Sequence, residues 1–574
     1  MHYPCFAFLV AAAVMTGGPT SVSYPPAVGC PRSGCPSRGA KDGTAPVSPA
    51  KAVEARLIDG IRSRLEAGRK DITIKKGCYK LTPKDGDAAY IELAGLNDVT
   101  IDFSGSELWG AERVAMFYLH DCTNVTVRNV VIDYPFNLTY TQARIEKVGP
   151  DGEWDVRIIP GYPCPSADYL KDSGRFYPVQ AYDANTLELK NPMRISNKIA
   201  IERTGDDTYR ITGGQNRKGD VGDIAVWSVK PPWRPQQAAV NIVGCKGCTF
   251  EDITAYSTPD SGFIEHASDG NRYLRCSLVR RPPEADPVKR AFRRLRSGNH
   301  DAFNSRRSFK GPLIDGCTLQ YHGDDCINIC GYYALVAERN GRTLRVAGSG
   351  AADILPGDTC QVLTSSGSTL PDVKVVAIEP TADVTPEERK TFESCKLYPG
   401  YAQRLKKAHL ITLEKEVDLP PGSAIVSNRR QGNGFVIRNC TLGHNVGHGA
   451  LIRASDGLIE SNLIERVTYH GIEISYGYNW LEGGCSRNVT VRGNVLRDNG
   501  IGGVWVTGTS AVSGYPPVDS HRDITITGNV ISGSRAGIEV WGCTGVDVRR
   551  NKITVLDVPN SHVLNLVNVK EVRK

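Results

Sequence analysis

A parallel β-solenoid carrying two inserted β-domains is the fold this sequence predicts, and three observations predict it. Segments of one pattern recur: an apolar residue, two variable positions, Cys or Asn, one more residue, then another apolar residue. They read YLRCSL (273–278), LIDGCTL (313–319), VIRNCTL (436–442), LIESNLI (458–464), TVRGNVL (490–496), TITGNVI (524–530) and DVRRNKI (547–553), with GCTF (247–250) as a shorter match. The Cys/Asn position falls at 248, 276, 317, 440, 462, 494, 529 and 551, and most steps are 22 to 41 residues, the length of one solenoid coil. The connecting stretches are short strands and turns rich in glycine, which supplies 59 of the 574 residues.

Each coil stacks on the next at ~4.8 Å, so equivalent residues form ladders. Asn suits a ladder because its amide hydrogen-bonds along the stack. Cys suits it as a small buried residue. Although the chain has 17 cysteines, those of the ladder are therefore expected to be free and packed. Cys245 and Cys248 make a lone CxxC without a matching second pair, which does not build a zinc site.

The elements follow in chain order. Residues 1–23 read as a secretory signal, with a short apolar run before small residues, and 24–48 as a Pro/Gly/Ser-rich linker. That places the protein in the periplasm or outside the cell. The apolar run is too short for membrane insertion. Helical periodicity beyond Ser48 and Pro49 predicts a helix that caps the first coil. The N-terminal β-helix would occupy 49–139. Short strands with Pro-Gly turns, out of step with the repeat, predict inserted β-barrel-like domains at 140–235 and 335–430. β-Helix resumes over 236–334 and 431–574. The insertions are expected either to wall a pocket or to pack against a second subunit in a homodimer.

A net charge of +7 without a dense basic tract implies no nucleic-acid partner. The chemistry concentrates elsewhere. HDAFN (300–304) and DDCIN (324–328) match one coil apart, which stacks Asp301 on Asp325 and Asn304 on Asn328. HGALI (448–452) and HGIEI (470–474) continue the series, aligned so that His300, Asp324, His448 and His470 share one column, and Asp301, Asp325, Gly449 and Gly471 the next. Three clustered carboxylates cannot all ionise freely. A retained proton beside a carboxylate-held water is the inventory of an inverting glycosidase, with acid and base ~6.5–9.5 Å apart. Asp324 is the odd member, expected at a strand edge or bulge, where neighbouring side chains can face the same side. Substrate contacts are expected from Asn304, Asn328, His448, His470, Arg453, Glu473, Tyr476, Trp505, Glu265 and His266.

The DAFN…HGDD signature with two β-insertions resembles glycoside hydrolase family 110, the inverting α-1,3-galactosidases. More distantly, three aspartates followed by Gly447-His448-Gly449 resemble the family 28 polygalacturonases, whose Arg-x-Lys motif has no clear counterpart here. The first resemblance implies a carbohydrate substrate ending in α-1,3-linked galactose (blood-group B type or linear Galα1-3Gal), no metal or other cofactor, Asp324 as general acid, and Asp301 and Asp325 activating water. A pectin-type hydrolase and a non-catalytic carbohydrate-binding β-helix remain the alternative readings.

Overall fold

A computed structural model describes residues 54–83, 87–165, 179–190, 199–213, 218–229, 238–510 and 514–574. The expected signal and linker, with Ser48 and Pro49, lie outside these residues. No helix among them is long and apolar enough to cross a membrane.

The helix Glu54–Glu66 opens the described chain. Leu57 and Ile61, four apart and so on one helix face, are buried in the same apolar core as Tyr79 and Leu81 of the neighbouring strand Cys78–Leu81. The helix thereby covers apolar surface that an open solenoid end would expose, as its periodicity predicts.

Beyond it the chain winds as a parallel β-helix whose coils contribute to three sheets. In the coil that carries Asp301, the strand Phe303–Arg306 lies in the first sheet, Leu313–Asp315 in the second and Thr318–Gln320 in the third. Each pairs in parallel with the next coil: Phe303 with Ile327, Leu313 with Val436, Thr318 with Thr441. Side chains alternate across the first sheet. Phe303, Ile327, Ile329, Ile452, Ile472 and Ile474 fill the lumen, and the residues between them face outward.

The Cys/Asn ladder occupies the corner between the second and third sheets. Its turn is made by the preceding residue, which is left-handed at Arg275, Asn439, Ser461 and Arg550, and glycine at 316, 493 and 528. This explains the two variable positions of the motif: the second must accept positive φ, which glycine does without a Cβ clash. Asn462, Asn494 and Asn529 each donate a side-chain N–H to the Oδ1 of the next Asn, at 2.9 Å. The described cysteines are all free. One assignment changes. Thr249 pairs with Arg272 and Thr254 with Ser277, so Ile253, not Cys248, is the equivalent of Cys276. Cys248 sits at the preceding corner, where its N–H donates to Asn271 Oδ1.

Both insertions leave the solenoid at the flanks of the first sheet. One departs after Thr126–Asp133 and returns at Ala238–Val243. Its described strands form an open six-stranded sheet that includes Tyr140–Val148 and Ile224–Ser228. The other departs after Ile327–Tyr332 and closes into a six-stranded barrel running from Ala334–Asn340 to Ala424–Ser427. The first sheet is therefore flanked by the two points at which the insertions leave the solenoid.

Candidate active site

The three aspartates occupy the corner where the third sheet turns into the first. Asp301 stands two residues before Phe303–Arg306, and Asp324 and Asp325 just before Ile327–Tyr332. The Phe303–Ile327 register puts Asp301 one rung from Asp325. Residues 323 and 324 form a bend rather than a strand, so strict alternation of side chains does not apply, and both acids face one cavity. The bend is pinned: the Asp325 N–H donates to Asp324 Oδ1 at 3.1 Å, and the Asp324 carbonyl accepts from Asn445 Nδ2 at 2.7 Å. One oxygen of each carboxyl group lies within 4.8 Å of the other two. These nearest oxygens do not keep the expected ~6.5–9.5 Å gap.

The register also corrects the histidine columns. Ile327 pairs with Ala450 and Ala450 with Ile472. His448 and His470 therefore continue the Asp301–Asp325 column, and the equivalents of Asp324 are Gly447 and Tyr469. The sequence alignment was one residue out, which would have sent the outward Leu451 and Glu473 into the lumen. The corrected stacking brings His448 Nδ1 to 2.8 Å from Asp325 Oδ1, an oxygen that also accepts the His448 backbone N–H at 2.7 Å. The other ring nitrogen, Nε2, lies 2.9 Å from Glu473 Oε2.

This geometry sorts the acids. Burial, followed by the charges of Asp301 and Asp325, pushes Asp324 well above the usual carboxylate range. Burial and then Asp325 raise Asp301 to about 8, against the pull of Arg306 and of the Asn304 amide that donates to it. Burial alone would lower His448, but Glu473 and Asp325 on its two sides outweigh that and raise it to about 10. Glu473, which burial alone would raise, is brought down to about 2 chiefly by His448. The corner thus holds a proton on Asp324 while an imidazolium bonds Asp325. His448, His470 and Glu473 also offer ligand atoms within 4.8 Å of one another, as the aspartates do, but both nitrogens of His448 already face carboxylates.

The cavity has a volume of about 440 Å³. The aspartates close one end. Its floor is the outward face of the first sheet: Asn328, Leu451, Glu473, Trp505 and Glu539, one rung apart in a single column. The far wall is the excursion 477–482, where Trp480 and Glu482 line the cavity. The barrel supports it: Tyr398 stacks on Trp480 at 4.3 Å, and the Tyr478 hydroxyl donates to the Gly422 carbonyl at 2.6 Å.

Of the expected contacts, Asn328, His448, His470, Arg453, Glu473, Tyr476 and Trp505 line the cavity. Three do not. Glu265 points into the lumen, where Tyr273, Asn271 and Ser305 donate to its carboxylate. His266 faces outward but on the rung before Asp301, where the cavity has ended; burial and the charges of Arg306 and Arg307 lower it to about 3. Asn304 lies behind Asp301, donating to it and accepting from Arg306 Nε at 2.8 Å. Several lining residues had not been anticipated: Trp480, Glu482, Tyr515, Glu539, Trp541, His562 and Asn565. Glu539 was legible, since AGIEV repeats HGIEI. The excursion 477–482 breaks the repeat, and nothing in its sequence says that it folds back over the sheet.

The family described as a right-handed β-helix region matches residues 422–553. Over 481 residues the chain is 22% identical to α-1,3-galactosidase B of Bacteroides thetaiotaomicron, covering 79% of this chain and 72% of that one. The resemblance read from the aspartate motif is thus met by similarity along most of the chain. Solved structures that are similar include a family 28 exopolygalacturonase of Yersinia enterocolitica (12% identity, 90% of this chain and 74% of that one, TM-score 0.37). Another is endopolygalacturonase I of Stereum purpureum (10% identity, 88% and 95%, TM-score 0.39).

Proposed function

We propose that this protein is an exported glycoside hydrolase that removes terminal α-1,3-linked galactose by a single inverting displacement. The observation that carries the reading is the sorted carboxylate corner at the blind end of a cavity. Asp324, protonated, gives its proton to the leaving glycosidic oxygen. Asp325, bonded by the His448 imidazolium, accepts a proton from the attacking water, and Asp301 orients that water. The similarity to a named α-1,3-galactosidase supports glycosidase chemistry and suggests the galactosyl specificity. Export rests on the first 23 residues alone.

A blind end suits an enzyme that takes terminal sugars. The cavity also favours a neutral sugar over an acidic one. Its lining carries Asp301, Asp324, Asp325, Glu473, Glu482 and Glu539, and Arg453 is already engaged by Glu482 at 2.9 Å. A sugar carboxylate would meet repulsion from these acids, which argues against a pectin-type substrate. A purely binding β-helix would have no use for three buried acids, whose repulsion destabilises the fold.

Incubation with a Galα1-3Gal disaccharide, followed by proton NMR, tests the reading. Free galactose should appear first as the β anomer, at the same rate with and without EDTA. α-Galactose as first product would establish retention and overturn the inverting displacement. Absence of galactose release would end the proposal.

A further inference from the structure

The cavity extends well past the catalytic corner, and the mechanism above uses only its blind end. From Asp325 one column runs through His448, His470, Gly502 and Ala536 to His562. The neighbouring column runs through Glu473, Trp505 and Glu539 to Asn565. All but Gly502 of these line the one cavity. The rung of Ala536 is four rungs from Asp325, or ~19 Å at ~4.8 Å per rung, farther than one sugar ring reaches.

This distal end is built for carbohydrate. At Gly502 and Ala536 the column carries little side chain, and His470 packs over Gly502 in the space that leaves. A Cβ on Gly502 would meet His470 Cδ2 at 2.9 Å and the Ala536 Cβ at 3.0 Å. Trp505 and Trp541 stand edge to face at 5.0 Å, and Tyr515 packs on Trp541 at 4.8 Å. Both indole N–H groups are covered, so the rings offer the cavity apolar surface, the complement of a sugar's C–H face. Beside them Glu539 lies 3.5 Å from His470 Nε2, 3.2 Å from His562 Nε2 and 3.4 Å from Asn565 Nδ2. A carboxylate has about four lone-pair sites, so these three contacts leave accepting capacity for a hydroxyl.

We propose that this distal end is a binding site for the leaving part of the glycan, a neutral oligosaccharide of two or more sugars, clamped between the Trp505–Trp541 pair and Glu539. The inference rests on the galactosidase reading for its direction: the terminal sugar sits at the aspartates and the remainder runs toward the C-terminal coils. The enzyme then selects an oligosaccharide rather than any α-galactoside.

The kinetic test compares kcat/KM on a tetrasaccharide ending in Galα1-3Gal with that on p-nitrophenyl α-galactoside. In the wild type the tetrasaccharide should be favoured. In Trp541→Ala the ratio should fall by at least about tenfold. Asn565→Ala, which leaves the lumen untouched, repeats the test if the tryptophan variant fails to fold. A ratio unchanged within twofold in both variants would overturn the site, as would a wild type that prefers neither substrate. Saturation-transfer NMR with the trisaccharide that lacks the terminal galactose needs no hydrolysis. It should bind the wild type and weaken in the variants even if the galactosidase reading fails, and no binding to the wild type would overturn the site on its own.

Discussion

Two corners of the same coil are built alike and do opposite things. At the corner between the second and third sheets, Cys and Asn stack rung on rung. Each amide there gives and receives a bond along the stack, so adding coils adds satisfied contacts. At the corner between the third and first sheets, Asp301 stacks on Asp325 with Asp324 beside them, and the same one-rung spacing brings like charges together. His448 and Glu473 on the following rungs offset part of the repulsion. A solenoid amplifies whatever residue it repeats: neutral hydrogen-bonding groups become a spine, and carboxylates become a strained, reactive site.

The largest expected effect breaks the catalytic corner alone. Asp324→Asn should lower kcat by roughly 10²–10⁴-fold, the usual contribution of a general acid. The fold should persist, because the amide is as neutral as the protonated acid it replaces and can keep accepting the bond from the Asp325 N–H. Full activity in Asp324→Asn would take it out of the acid role.

The converse change strikes the spine. Asn494 receives from the Asn462 backbone and side chain and donates to the Ile459 carbonyl and to Asn529. Asn494→Ala leaves buried partners unsatisfied and should destabilise the protein by about 2–5 kcal/mol. That is read as a lower denaturation midpoint with activity at 25 °C within about twofold of wild type. If activity fell in step with stability, the two corners would not be independent.

Gly447→Ala sits between the two in effect. A Cβ there would lie 2.3 Å from Asp325 Oδ1 and 2.5 Å from the Asp325 nitrogen. The methyl must displace the carboxylate from His448, and a roughly 10²-fold fall in kcat follows from misplacing a reacting group. Because the Asp325 nitrogen and the Asp324 carbonyl carbon are backbone, the corner must shift too, so a loss of about 1–3 kcal/mol of stability should accompany the fall in kcat.

Much of this contrast was legible in the sequence, and the failures have physical causes. The coil-to-coil match of HDAFN with DDCIN fixed the aspartate stack because Phe303 and Ile327, both lumen residues, anchor it. The match with HGALI slipped by one because Ala450, the true lumen residue, is small and Leu451 beside it is larger though outward. HGIEI carries the true register: only Ile472 and Ile474 can face inward there, since Glu473 between them cannot enter the lumen without partners. Glu265 is the exception to that logic. It is a lumen acid made tolerable by Tyr273, Asn271 and Ser305, which come from different parts of the coil and cannot be assigned to it from spacing. The wall at 477–482 was invisible for a similar reason, since the barrel that supports it lies in a separate segment of the chain.

The pH dependence of stability sharpens the comparison most. Asp301 is raised to about 8 in the folded protein, mainly by burial and then by Asp325, against ~3.9 unfolded. Between those values the folded chain keeps a proton that the unfolded chain has lost, so stability falls as pH rises from about 4 to about 8. Asp301→Asn removes that slope: wild type and variant should melt together near pH 4 and diverge toward pH 8, with the variant the more stable. His448 adds a separate slope that Asp301→Asn leaves largely in place, because its contribution is fully present below ~6.5 and is lost as pH rises through about 10. A variant that is less stable than wild type at pH 8 would mean that the stacked acids hold the corner together, as the amides do, and that the repulsion assigned to them is not there.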